Sequence, residues 1–358
     1  MKMNIYGVVM AGGGGTRFWP LSRHKRPKQL LNLSGKNLMI NETVDRIGRF
    51  IPFNNIFIVT NKDQTESMVS ALKGRISSEN IISEPVSRNT AACIGYAAIK
   101  IIELFGDGIM CVTPADHCVS NLEMFEKVMI DAVNEAQKRD ALVTIGIEPT
   151  FPATGFGYIN FDKTDETVSK KVSTFVEKPD LDTAVHYVES GEYLWNSGMF
   201  IWKASVILNE IKKHLPELYS GLVKLSNIIK LDSDDYIVIE NIYKDLQDIS
   251  IDYGILEKSN IVRVIPASFD WHDVGSWDMM NVLHKEDNNG NICIGDVIDI
   301  DTINTTVYSN GRLVAVVGVR NSIIVETSDA ILVCDRSHAQ DVKKVVEILK
   351  QNGRHELL

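Results

Sequence analysis

A short apolar run, Ile5 to Met10, stops at four consecutive glycines, Gly12 to Gly15. Such a run ending in glycine predicts a buried strand that feeds a loop, and the glycines let that loop bend where a Cβ would forbid it. Runs of the same type recur at Asn55 to Thr60, Ile109 to Thr113 and Ala141 to Ile147. Between them, residues 37–50, 62–73, 89–105 and 121–139 have helical periodicity. Strands alternating with helices of this length predict an α/β fold, Rossmann-like, with a mostly parallel mixed sheet covered on both faces. Ligands of such sheets gather at the C-terminal ends of the strands.

After residue 150 the pattern becomes irregular. Residues 154–159 read as a turn into a strand and 171–177 as a strand, followed by helical stretches at 180–190, 204–228 (broken near Pro216) and 251–259. Residues 292–334 are short β-rich runs separated by Asn, Gly, Asp and Ser, and 338–351 form a last helix. The polar stretch Lys285 to Gly290 suggests a boundary, so the chain divides into a catalytic domain, 1–288, and a small C-terminal domain, 289–358.

Lys plus Arg total 37 against 47 Asp plus Glu, a net charge of −10. That balance argues against a general nucleic-acid or anionic-membrane binder. No apolar run is long enough to span a membrane, and the N-terminus lacks a secretory pattern. Five cysteines, an odd number without a CxxC, read as reduced and mostly buried thiols of a cytoplasmic protein.

Glycine-rich loops after a first strand commonly cradle phosphates with backbone N–H groups. The spacing here excludes two familiar versions. A GxGxxG count from Gly12 ends on Arg17 and from Gly13 on Phe18, and a Walker pattern would need Gly-Lys where Arg17 and Phe18 stand. That disfavours a nicotinamide oxidoreductase. The loop instead carries Arg17 and, further on, Lys28. A planar fork and a point charge beside a glycine turn suit a triphosphate.

The string Gly-Gly-Gly-Gly-Thr-Arg-Phe-Trp-Pro-Leu-Ser, followed by Arg26-Pro27-Lys28-Gln29-Leu30, closely resembles the signature of the nucleotide-sugar pyrophosphorylases. The Phe-Trp-Pro-Leu-Ser variant is similar to that of the mannose-1-phosphate guanylyltransferase branch. Further segments agree in order: Glu84 to Ala91, Thr113 to His117, Thr154 to Ile159, Phe175 to Pro179, Trp195 to Phe200 and Phe269 to Trp277. Ser87 and Ala92 depart from the Gly and Pro usual in the branch.

The resemblance implies a nucleotidyltransferase fold, a short left-handed β-helix at the C-terminus, and transfer of GMP from GTP to mannose 1-phosphate, giving GDP-mannose and pyrophosphate. A phosphate monoester is mostly dianionic at neutral pH, so no general base is needed and catalysis becomes positioning plus charge neutralisation. Arg17, Lys28 and Lys178 are then the catalytic cations. Ala11, Gly12, Gly13, Gly14, Gly15 and Thr16 hold the nucleotide, with Glu84 and Asn89 toward the base. Gly157, Glu177 and Asn196 take the sugar. Asp116 and Asp273 share one Mg²⁺, whose preference for few carboxylates plus phosphate oxygens suits them. His117 and His272 find no further ligands at zinc spacing and read as supporting groups, and Trp195 and Phe200 read as core.

The alternatives are a pyrophosphorylase for another base or sugar, or a non-catalytic regulatory subunit of the same fold. Many bacterial relatives continue into a phosphomannose isomerase domain, an activity not expected of a chain ending at Leu358. A homodimer is expected, because the apolar strands of 292–334 are too short to bury themselves.

Overall fold

The computed structural model describes residues 3–230 and 236–358. Among the described residues, eleven strands precede residue 274: β1 (Ile5–Met10), β2 (Ile56–Asn61), β3 (Ile81–Glu84), β4 (Ile109–Pro114), β5 (His117–Val119), β6 (Leu142–Ile147), β7 (Tyr158–Phe161), β8 (Lys170–Val176), β9 (Tyr193–Lys203), β10 (Val262–Ala267) and β11 (Trp271–Asp273). Nine of them form one sheet in the order β3-β2-β1-β4-β9-β6-β10-β8-β7. Only β8 and β9 run against the rest, since β9 is antiparallel to β4, β6 and β7, and β8 to β10 and β7. The sheet is therefore mixed and mostly parallel, as the alternating sequence pattern predicts. β5 and β11 pair by themselves as an antiparallel ribbon, Asp273 opposite His117.

Two hydrophobic cores lie on the two faces of the sheet. One is covered by the helices Asn89–Phe105, Ala204–His214 and Pro216–Lys230, the other by Met39–Ile47 and Leu122–Lys138. The break expected near Pro216 falls between His214 and Pro216. The helical expectation at 251–259 reduces to a single wide turn, Asp252–Leu256. The helix Tyr236–Lys244 and the strands β3, β9 and β10 are additions to the pattern read above.

The C-terminal region is a short β-helix-like stack. Its strands β12 (Ile292–Ile294), β13 (Val297–Ile300), β14 (Thr306–Ser309), β15 (Val314–Val317), β16 (Ser322–Glu326) and β17 (Ile331–Asp335) form two walls. β12, β14 and β16 are parallel, with Ile292 beside Thr306 and Thr306 beside Ile323, and β13 pairs in parallel with β15. Asn304 and Asn321 turn the corners at φ 49 and 50, a region Asn tolerates better than most residues. The Asn304 amide donates to Asn321 across 2.7 Å. The helix Val342–Gln351 closes the stack.

A third core joins this stack to the glycine loop. Phe18, Trp19 and Leu21 meet Val274 and Trp277, which follow β11, together with Ile292 and Ile323 of the stack and Val342 of the last helix. The Trp277 indole donates to the Trp19 carbonyl at 3.1 Å, and Trp19 to the Leu357 carbonyl at 2.9 Å. Among the described residues no helix is long and apolar enough to cross a membrane. All five cysteines are free, but only Cys93 and Cys111 are fully buried. Cys118 and Cys334 are half-buried and Cys293 is exposed, because short strands of the outer ribbon and stack carry them, so "mostly buried" overstates their burial.

Candidate active site

The loop after β1 is shaped by side chains that hold its carbonyls. The Gln29 amide donates to the Ala11 and Gly13 carbonyls at 2.6 and 3.1 Å, Asn61 to the Gly12 carbonyl at 2.7 Å, and the Ser22 hydroxyl to the Gly15 carbonyl at 2.8 Å. With the carbonyls fixed, the N–H groups of Gly12 to Thr16 make no hydrogen bond among the described residues. They line one stretch of backbone at the C-terminal end of β1, where an anion can collect them. Gly15 is required: its φ is +60, and a Cβ there would lie 2.3 Å from the Lys28 Cβ.

Lys28 sits under this loop, 3% exposed. Its ammonium is 2.9 Å from Asp116 Oδ2 and 3.3 Å from Asp273 Oδ1. Burial pushes the Lys28 pKa down, but the two carboxylates outweigh it and the net shift is upward. Burial likewise works to raise the Asp116 pKa, and Lys28 overrides it, so the carboxyl is held below its ordinary range. The β5–β11 ribbon explains how two distant aspartates meet. Asp116 immediately precedes β5, Asp273 ends β11, and their register sets them on the same side of Lys28. His117 accepts a hydrogen bond from the Trp271 indole at 3.2 Å and braces the ribbon. Arg17 is exposed, with no ion pair among the described residues, and its Nη1 lies against Gly275, two residues beyond Asp273.

Glu84 ends β3, opposite Asn61 in β2. Its carboxylate is 4% exposed; one oxygen accepts from the Tyr243 hydroxyl at 2.6 Å and the other faces Gly12. Burial raises the Glu84 pKa to about 7, against the opposing effect of the Tyr243 bond. Arg88 does not pair with Glu84 but donates to the Lys244 carbonyl at 3.1 Å. Asn89 is exposed; it accepts from the Thr90 N–H at 2.9 Å and donates to Asp248 at 3.3 Å.

On the other side of β4 a cleft is lined by His117, Gly157, Glu177, Asn196, Asp252 and Asp273. A Cβ on Gly157 would stand 2.4 Å from Glu177 Oε2, so the backbone and this carboxylate are in contact. Lys178, at φ 48, folds its ammonium to 2.7 Å from Glu177 Oε1. Asn196 donates to Asp252 at 2.9 Å and accepts from Thr144 at 3.1 Å and from the Gly198 N–H at 3.2 Å. Asp252 is pushed up to about 7 by burial and by the nearby Glu177 carboxylate. Trp195 and Phe200 are buried.

The structure thus brings Lys28, Asp116 and Asp273 to one point and gathers Gly157, Glu177, Lys178 and Asn196 beside it. Glu84 lies at the loop's other flank, whereas the Asn89 side chain is bonded to Thr90 and Asp248. Tyr243, Asp252 and Asn61 do not stand out in the sequence, and Gln29 stands there in the Arg26-Pro27-Lys28-Gln29-Leu30 string with no role implied. The Asp252 signal was an acidic residue opening the short 251–259 stretch; nothing in the local pattern marks Tyr243.

A mixed sheet with a phosphate-ready glycine loop, a buried lysine and two converging carboxylates at its C-terminal edge has the construction of a nucleotidyltransferase. The nucleotidyl transferase family profile matches residues 6–289, and the MannoseP isomerase/GMP-like beta-helix domain matches residues 295–349. Mannose-1-phosphate guanylyltransferase of Escherichia coli K12 is 39% identical over 362 residues, spanning 99% of this chain and 75% of that protein. Alginate biosynthesis protein AlgA of Pseudomonas aeruginosa is 37% identical, over 98% of this chain and 73% of that one. A crystal structure named mannose-1-phosphate geranyltransferase, from Thermus thermophilus, superposes with a TM-score of 0.87 at 30% identity, covering 97% of this chain and 100% of that one. The chain belongs to the mannose-1-phosphate guanylyltransferase family.

Proposed function

We propose that this chain transfers GMP from GTP to α-D-mannose 1-phosphate, releasing pyrophosphate and forming GDP-mannose. A sugar-phosphate oxygen bonds to the α-phosphorus while the bond from that phosphorus to the β-phosphate bridge oxygen breaks, and pyrophosphate carries away the electron pair. The observation that carries the reading is the convergence of Lys28, Asp116 and Asp273 beside the unbonded N–H groups of Gly12 to Thr16. Family membership supports the choice of substrates.

In this reading the loop N–H groups and Arg17 receive the triphosphate, and Lys28 faces the reacting phosphates. Glu84 accepts from the N1–H and 2-amino donors of guanine, with Asn89 nearby. Glu177 and Asn196 receive sugar hydroxyls, the Gly157 backbone approaches the ring, and Lys178 takes the sugar phosphate. Two carboxylates at one point, with no third metal-ligating side chain among the described residues, suit Mg²⁺, which fills its remaining positions with water and phosphate oxygens. Asp116 and Asp273 would hold it, and when bound it neutralises phosphate charge and orients the two polyanions.

The catalytic unit is residues 1–288 and the stack 289–358. Ile298, Ile300, Leu313, Val317, Ile331 and Val333 stay exposed on the stack and suit a homodimer contact. Five free thiols fit a reducing cytoplasm. Pyrophosphate release, measured for all four nucleoside triphosphates against mannose, glucose and N-acetylglucosamine 1-phosphates, tests the function. GTP with mannose 1-phosphate is expected to be fastest, and a faster different pair overturns the assignment.

A further inference from the structure

We propose that residues 243–252 form one strap that sets specificity at both ends of the cleft, Tyr243 fixing the acceptor for the base and Asp252 fixing the amide for the sugar. The proposal rests on the reading of Glu84 and Asn196 given above and adds the residues that aim them.

At the base end, Tyr243 is fully buried and its hydroxyl donates to Glu84 Oε1 at 2.6 Å. Its ring stands edge-on to Tyr96, with centroids 5.6 Å apart, so the phenol is held in place. Each carboxylate oxygen has two lone pairs. One bond from Tyr243 therefore orients the carboxylate plane while leaving it able to accept from guanine. Adenine offers an unprotonated N1 where guanine offers N1–H, and a carboxylate aimed at that edge repels it. An acceptor free to rotate loses this discrimination; one held by Tyr243 keeps it.

At the sugar end, Asp252 Oδ1 accepts from Asn196 Nδ2 at 2.9 Å, while the Asn196 carbonyl oxygen is occupied by Thr144 and the Gly198 N–H. The amide is thereby fixed in one orientation, with its second N–H left for a ligand. Between the two ends the strap is fastened to the start of the helix Asn89–Phe105. Arg88 donates to the Lys244 carbonyl at 3.1 Å, the Ala91 N–H to the Ile249 carbonyl at 3.2 Å, and the Ile251 N–H to Thr90 Oγ1 at 2.8 Å. One short segment, bonded along its length to one helix end, thus supports both recognition groups.

The test uses the full chain, with steady-state kinetics for each substrate and calorimetric binding of GTP and ATP. Tyr243→Phe is expected to lower the GTP-over-ATP preference by about tenfold, the scale of one lost hydrogen bond to a charged group, with KM for mannose 1-phosphate unchanged. Asp252→Leu, which removes the acceptor at similar volume, is expected to raise that KM by about tenfold on the same grounds, with GTP binding unchanged. Glu84→Gln combined with Tyr243→Phe should be no worse than Glu84→Gln alone, because Tyr243 acts through Glu84. A Tyr243→Phe chain that keeps the wild-type GTP:ATP ratio, loses both nucleotides equally, or adds its effect to that of Glu84→Gln overturns the base half. An unchanged mannose 1-phosphate KM in Asp252→Leu overturns the sugar half. A wild-type chain with no preference for GTP overturns the reading of Glu84 itself, while the Asp252 arm is still read on sugar phosphates alone.

Discussion

The Lys28 ammonium lies 3.3 Å from the Asp273 carboxylate, 245 residues further along the chain, and 2.9 Å from Asp116. One buried positive charge between two carboxylates offsets one of their two charges and leaves a net negative point suited to a second cation. Removing it as Lys28→Met leaves two like charges facing each other. Because both carboxylates are about a third exposed, losing the pairing costs only about 1 kcal/mol of stability, and losing the ammonium costs about 10²–10³ in kcat. Urea unfolding and pyrophosphate release measure the two effects, and a variant with wild-type turnover would remove Lys28 from the reaction.

Asp116→Ala and Asp273→Ala are expected to abolish Mg²⁺-dependent turnover while the chain still folds, because each carboxylate is half-exposed and supports little of the core. Chelation of divalent ions should silence the wild-type chain reversibly. Circular dichroism establishes folding, and a magnesium titration of activity reads the metal. A near-normal rate in either variant refutes the shared-metal assignment.

Lys178 is exposed on the side away from the buried core and folds onto Glu177 at 2.7 Å. Burial tends to lower its pKa, but the Glu177 bond prevails and the net shift is upward, so it stays charged. Lys178→Ala should raise KM for mannose 1-phosphate strongly and leave GTP binding intact. Selective loss of GTP binding would assign Lys178 to the other substrate.

Burial lifts Glu84 to about 7, and the Tyr243 bond restrains the rise. Above that pH the carboxylate accepts from guanine; below it, the added proton turns one oxygen into a donor facing guanine's own donors. GTP affinity should therefore be full on the alkaline side and fall as pH drops through about 7. Removing the Tyr243 hydroxyl should move the midpoint upward. Calorimetry of GTP across this range, with ATP run in parallel to cancel titration of the triphosphate, checks the direction. Affinity that rises on acidification contradicts it.

The loop and Asp116 are legible in local strings, glycines after an apolar strand and a carboxylate beside a strand end, whereas Asp273 is reached only through the family resemblance, because the three-residue β11 leaves no periodicity to read. Helix 89–105 was equally clear from its apolar residues and lies where expected. β9 is harder, since Trp195-Asn196-Ser197-Gly198 interrupts the apolar alternation expected of an eleven-residue strand, and pairing with three strands along its two edges holds it extended. Tyr243 illustrates a different limit. Its role depends on a partner 159 residues away, and no periodicity reports a contact of that separation. The short turn at Asp252–Leu256 is fixed by tertiary bonds such as Ile251 N–H to Thr90, so a longer helical reading of 251–259 failed for the same reason.

Gly15 and Gly157 predict opposite kinds of damage. At Gly15 an added methyl meets the Lys28 Cβ at 2.3 Å and the Lys28 backbone nitrogen at 2.8 Å, on a residue already at φ +60. Backbone cannot step aside there, and the left-handed conformation adds about 1 kcal/mol of its own for a non-glycine residue. Gly15→Ala should therefore displace the loop, lower the melting temperature and depress turnover with every substrate. At Gly157 the methyl clashes with Glu177 Oε2, the far end of a flexible side chain, at 2.4 Å, and stands 3.3 Å from the Asn196 Cβ and 3.5 Å from the Phe175 ring. Glu177 can rotate away with the fold intact, so Gly157→Ala should keep the wild-type melting temperature and GTP affinity while KM for mannose 1-phosphate rises by about tenfold, as a lost charged hydrogen bond would require. Thermal melts and two-substrate kinetics on the pair separate the cases, and a Gly157→Ala chain that melts early with unchanged sugar-phosphate KM contradicts the contact on which this argument rests.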